Sequence, residues 1–185
     1  SGFAQIRFRR KTVGFAGQRV VLRSLSPAVT MGGAVILDPQ AQPVRSGDVA
    51  RLNLMRAAVA RDARLIAAAL CHQGKGLAAL EDVERVARLP RGSALGRLAG
   101  TFTCIASGHI AQTPDLLEAR SDVISALQSF HAAHPVKRLA PRRTIEQRSR
   151  FFGLLPYVEK GLIADRKLRV EDGQVALTAH DPLAA

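Results

Sequence analysis

Several groupings in this sequence have residue types and spacings that could do chemistry. His131 and His134 stand three apart near a helix end, a separation that can hold a metal ion. No cysteine or carboxylate at matching spacing joins them, and Pro135 breaks the helix at once, so capping and packing are their expected roles. Cys71 and His72 would serve as nucleophile and base only if they faced each other. Neighbours on a helix point about 100 degrees apart, so a buried structural cysteine is expected. Gly32 and Gly33 could cradle a phosphate, but a strand pattern follows them where a helix amino terminus would be needed. A tight turn is the expectation there. The chain contains no G-x-x-x-x-G-K-[ST] loop, and its acidic residues are scattered over helix starts and turns without an acid–base pair. No catalytic residue, metal site or cofactor is therefore expected, and the chain does not read as an enzyme.

Binding chemistry is better represented. The 27 Lys and Arg residues against 15 Asp and Glu leave a formal charge of +12, which concentrates polyanions around any exposed basic face. The cations cluster as Arg7, Arg9, Arg10 and Lys11, then Arg142, Arg143, Arg148 and Arg150, then Arg166, Lys167 and Arg169. These are the candidate RNA-binding residues, weighed against the solvated faces that charge runs usually form. A membrane partner is not expected. Apolar stretches such as residues 65–71 are far shorter than the roughly 20 residues that cross a bilayer, and no signal peptide is visible. Two cysteines, Cys71 and Cys104, are too few for a disulfide framework, which suits a reduced cytoplasmic compartment. A monomer is expected.

The elements that must position these residues follow from periodicity. Residues 5–10 alternate apolar and polar, residues 20–22 and 35–37 are short apolar runs, and together they predict strands. Three strands with open edges cannot close a barrel, so they read as part of a β-barrel domain. A polar connector leads to Ser46 or Asp48 as the cap of a helix to residue 73, striped by Leu52, Met55, Val59, Ile66 and Leu70. Helices over 80–89 and 93–98 follow, then strands over 101–106 and 109–112 turning at Ser107 and Gly108. Helices, then a hairpin, is the winged-helix order. It recurs as helices over 114–131, 141–145 and 146–160 and strands over 162–170 and 174–178, turning at Asp172 and Gly173. Gly108-His109-Ile110-Ala111-Gln112-Thr113 matches Gly173-Gln174-Val175-Ala176-Leu177-Thr178, and Cys71-His72 matches Phe130-His131, as a tandem duplication would produce. The expected fold class is α+β: partial β-barrel strands and linker over 1–45, a winged helix over 46–113 and a second over 114–185. Aromatics are only 4% of the chain, with no Trp, so the cores are expected to be aliphatic.

The run Gly17-Gln18-Arg19-Val20-Val21-Leu22-Arg23-Ser24-Leu25-Ser26-Pro27, with Thr30-Met31-Gly32-Gly33-Ala34-Val35-Ile36-Leu37-Asp38-Pro39, resembles the end of the last barrel domain of the bacterial selenocysteine-specific elongation factors. That family usually has a third glycine where Ala34 stands. Leu127-Gln128-Ser129-Phe130-His131-Ala132-Ala133-His134-Pro135 is similar to its helix end with a Phe-His pair. Gly173 to Thr178 with His180-Asp181-Pro182-Leu183 is similar to the end of its second winged helix. The resemblance implies a non-catalytic piece of a GTP-binding translation factor, whose GTPase domain is absent from this chain. It would link the body that carries selenocysteinyl-tRNA to the winged helices that hold the messenger RNA hairpin on the ribosome, and those later winged helices lie beyond this chain. The rival expectation is a winged-helix transcription regulator, which would not need the strands before Gly47. Its groove-reading helix would favour Asn, Gln or Arg, and residues 93–98 offer only Arg97.

Overall fold

A computed structural model describes residues 2–43, 45, 47–106 and 108–182, with Ala106 described by its backbone alone. The candidate cap Ser46, the turn residue Ser107 and the terminal residues 183–185 lie outside the described residues. The chain is mixed α+β with small antiparallel sheets and, among the described residues, no closed barrel. Its elements in order are β1 (Arg19–Arg23), β2 (Thr30–Val35), α1 (Val49–Ala60), α2 (Ala63–Gln73), β3 (Ala78–Ala79), α3 (Leu80–Ala87) and α4 (Ala94–Leu98), followed by β4 (Phe102–Ala106), β5 (His109–Gln112), α5 (Thr113–Ala133), β6 (Ala140–Pro141), α6 (Arg143–Glu146), a 3-10 turn (Phe152–Leu154), α7 (Leu155–Ala164), β7 (Leu168–Glu171) and β8 (Gln174–Leu177). None of the described helices is long and apolar enough to cross a membrane.

The chain divides into two compact units, Ser1–Leu70 with Ala79–Ala99, and Cys71–Ala78 with Gly100–Ala185. In the first, β1 and β2 form a two-stranded ribbon pairing Arg19 with Val35 and Val21 with Gly33. The strand expected over residues 5–10 is not formed. With no third strand to bond, that segment has no regular structure, and Ile6 and Phe8 are exposed. The run 35–37 is likewise not a strand of its own: Val35 ends β2, and Ile36 closes the ribbon by bonding Gln18 and Gly17.

The helix expected to run unbroken to residue 73 is two helices, and the cause is local. Asp48 caps α1 by accepting from the Arg51 amide at 2.9 Å. Asp62 then accepts from the amides of Arg64 at 2.9 Å and Leu65 at 3.1 Å, so its carboxylate starts a second helix in the middle of the apolar run. The break rotates the buried face. Leu54, Ala57 and Ala58 are buried on α1, whereas Leu52 and Val59 of the expected stripe are exposed.

A buried carboxylate joins the first unit's connector to its helices. Asp38, with 5% of its side chain exposed, binds Arg51 of α1 at 2.9 Å and Arg85 of α3. Its Oδ1 also accepts from the Gln40 amide at 3.0 Å. Glu84 of α3 is buried and accepts from the Ala94 amide at 3.1 Å, satisfying an orphan donor at the start of α4.

The second unit packs Ala119, Val123, Ala126 and Leu127 of α5 against Leu155, Val158 and Leu162 of α7, with Ile145, Leu168 and Val175 closing the core. The hairpin of β7 and β8 turns at Asp172 and Gly173, both at positive φ, the conformation a two-residue hairpin needs. The helix expected from residue 146 begins only at Leu155, because Pro156 suits a first turn and Gly153 sits against backbone. A Cβ at Gly153 would overlap the Gly74 carbonyl oxygen and lie 3.2 Å from that of Lys75. The Gly153 amide donates to the same Lys75 oxygen at 3.1 Å, so the turns 74–76 and 151–153 are locked together by main chain. Gly153→Ala should therefore lower the urea midpoint by the equivalent of about 1–3 kcal/mol. A midpoint equal to that of the parent would show that the two turns are not in backbone contact.

Candidate nucleic-acid interface

The structure sorts the candidate cations by what already holds them. Arg7, Arg9, Arg10 and Lys11 are exposed and lie on a segment without regular structure, so the alternating strand face expected for them does not exist. In the second unit, Arg142 is pinned by Glu159, 2.6 Å away and buried on α7, and approaches Glu146 at 4.0 Å. Arg150 binds Glu118 and lays its guanidinium 4.7 Å from the centroid of the Phe151 ring. Arg169 donates to the His180 carbonyl at 2.9 Å and lies 3.9 Å from Glu171. Arg148 donates to the Ser129 hydroxyl at 3.3 Å. Arg143, Arg166 and Lys167 are exposed and form no ion pair among the described residues.

Helix ends supply further cations, of which sequence reasoning marked only Arg166. Arg61, Lys75, Arg88 and Arg166 all have φ between 54° and 58°, and each ends a helix in the left-handed conformation that glycine normally takes. Their helices close with the same reach-back bonds: Asp62 to Ala57, Gly76 to Cys71, Leu89 to Glu84 and Lys167 to Leu162, at 2.8–3.3 Å. A side chain there costs about 1 kcal/mol relative to glycine. In return, a cation sits where the helix dipole is negative. The Gly74-Lys75-Gly76 sequence announced a turn, but nothing in it marked the lysine.

The remaining chemical candidates are structural. Cys71 is fully buried, and its thiol reaches the Ile110 carbonyl at 3.7 Å. Burial, reinforced by Asp115, pushes that thiol up to about 12, so it stays protonated at neutral pH and is a poor nucleophile. His131 is buried and stacks on His180 with centroids 3.8 Å apart, while the His134 ring lies against Phe130 at 4.8 Å. Burial, then the charges of His180 and Arg169, hold His131 below the ordinary histidine range. A groove of about 200 Å³ on the second unit is lined by apolar Ile105, Leu116, Leu117 and Val158 beside Arg120 and Tyr157, with no acid–base pair.

No family model matches the sequence, and no curated protein matches it closely enough to count as a relative.

The cation sorting gives a stability test. Arg142→Ala strands the buried Glu159 carboxylate and should cost about 2 kcal/mol in urea unfolding. Arg143→Ala should cost less than about 0.5 kcal/mol. Equal losses would mean that Arg142 is as uncommitted as its neighbour.

Proposed function

We propose that this chain is a non-catalytic, RNA-facing module made of tandem winged helices behind strands of a β-domain, and that it serves in a translation factor of the selenocysteine-specific kind. The observation that carries the reading is a repeated sheet order. A short strand before a helix lies next to the last strand of the following hairpin in both halves, β3-β5-β4 and β6-β8-β7, and helices precede each hairpin in the same sequence. That is the order of strands and helices in a winged helix. The ribbon of β1 and β2 leaves Val21, Met31 and Val35 exposed on one face, as expected of strands that belong to a larger β assembly.

Partner class follows from charge and from what the helices lack. The helix that would enter a DNA groove in the second half is α7, and its exposed residues are Pro156, Lys160, Ile163 and Ala164. It offers one cation and no Asn, Gln or Arg for base edges, so it is poorly equipped to read a sequence. The uncommitted cations Arg166 and Lys167 sit instead at the start of the wing, where a phosphate backbone can be met without reading bases. RNA held through its phosphates without base readout, with binding that weakens in salt, is the resulting picture. The transcription-regulator reading has no observation of this kind in its favour.

Anisotropy titrations of a labelled messenger hairpin and an unrelated RNA duplex at two salt concentrations test it. The chain should bind both, with less than about a hundredfold preference between them. Arg166→Gly combined with Lys167→Ala should flatten the salt slope by about two, because each phosphate contact releases close to one counterion. The same substitutions should leave urea stability equal or higher, since glycine relieves the left-handed backbone at residue 166. Absence of saturable RNA binding at low salt would overturn the proposal, and a strong preference for duplex DNA would favour the regulator.

A further inference from the structure

Phe152 is half exposed, at 50%, whereas its neighbour Phe151 is buried at 8%. The ammonium of Lys75 lies 5.8 Å from the Phe152 ring centroid, and Arg150 precedes the aromatic pair with its guanidinium over Phe151. We propose that Phe152 and Lys75 form a stacking platform for a base of a single-stranded nucleic acid, an inference that rests on the RNA-facing reading above. An exposed ring accepts a base by stacking, and the lysine ammonium that lies over the ring is close enough to meet the adjoining phosphate.

The platform is preorganised by main-chain contact between two turns. The Gly153 amide binds the Lys75 carbonyl at 3.1 Å, and the close fit of Gly153 against Gly74 leaves no room for a methyl group. Phe152 and Lys75 therefore project from two turns held at a fixed separation, which lowers the ordering cost of binding. Lys75 also occupies a left-handed position, with glycines on both sides of it, where a third glycine would be less strained. Packing does not account for a long cationic side chain at that point, since Lys75 is exposed and forms no ion pair among the described residues. An uncommitted lysine beside the ring favours an anionic ligand over an apolar protein surface. Because phenylalanine has no hydrogen-bonding group, the platform is indifferent to base identity, and a duplex, whose bases are already stacked inside, cannot use it.

The test compares a labelled oligouridine with a blunt RNA duplex of equal length, using the whole chain. Phe152→Ala should weaken oligouridine binding about tenfold and leave duplex binding unchanged, while Phe152→Tyr retains both. Lys75→Ala should lower the oligouridine salt slope by about 0.7. Urea unfolding of each variant shows that the fold is kept. Unchanged oligouridine binding by Phe152→Ala, or an equal loss for both RNAs, overturns the platform. If the parent chain binds the duplex but no oligouridine, the platform alone falls; if it binds neither, the RNA-facing reading falls with it.

Discussion

A surplus of cations over carboxylates governs this molecule, because a buried acid that pairs with arginine takes that cation out of a surplus that would otherwise face water. Asp38 claims Arg51 and Arg85 in the first unit, and Glu159 claims Arg142 in the second. Both side chains are largely withdrawn from water, 5% and 9% exposed, where a polar group needs partners. Each pairing has two effects. It ties elements together, the connector to α1 and α3 in one case and the residue preceding α6 to α7 in the other, and it removes an arginine from the set available to a ligand. Breaking such a pair leaves an uncompensated buried charge, which is why these arginines belong to the fold although the composition marks them as binding residues.

Part of what remains after that sorting is found at helix ends. Arg61, Lys75, Arg88 and Arg166 take left-handed backbone that glycine would adopt more cheaply. Arg88 has a local reason, since its side chain packs over Gly17, whose added Cβ would lie 3.1 Å from the guanidinium group. Lys75 and Arg166 instead stand beside surfaces suited to nucleic acid: the exposed Phe152 ring, over which the Lys75 ammonium lies, in one case, and the first residues of the wing in the other. Strain retained at an exposed cation is the kind of outlier from which a binding role is reasonably inferred.

Much of the architecture was legible because it depends on short-range signals. The Asp172-Gly173 turn and the helices over α3 and α5 follow from residues that admit few conformations. The division at Asp62 was missed because hydrophobic period alone predicts one long helix, while a single carboxylate can cap a new one. Pro156 suits the first turn of α7, a signal that the expected helix over 146–160 passes over. Within the candidate interface, the basic clusters could be seen but their partners could not. Glu159 lies far from Arg142 in the chain, and so does Glu118 from Arg150, so only tertiary packing reveals which cations are committed. Phe152 was overlooked for a related reason, since nothing in a Phe-Phe pair says which ring is left outside.

The most direct measurement of where this chain meets RNA is ultraviolet cross-linking of a bound single-stranded RNA, followed by mass spectrometry of the attached peptides. The account predicts cross-links on the peptides that carry Lys75 and Phe152, joined by Arg166 and Lys167 when a duplex region is added. Cross-links concentrated on Lys160 and Ile163 of α7, with none at Lys75 or Phe152, would contradict it and make α7 the element that meets nucleic acid.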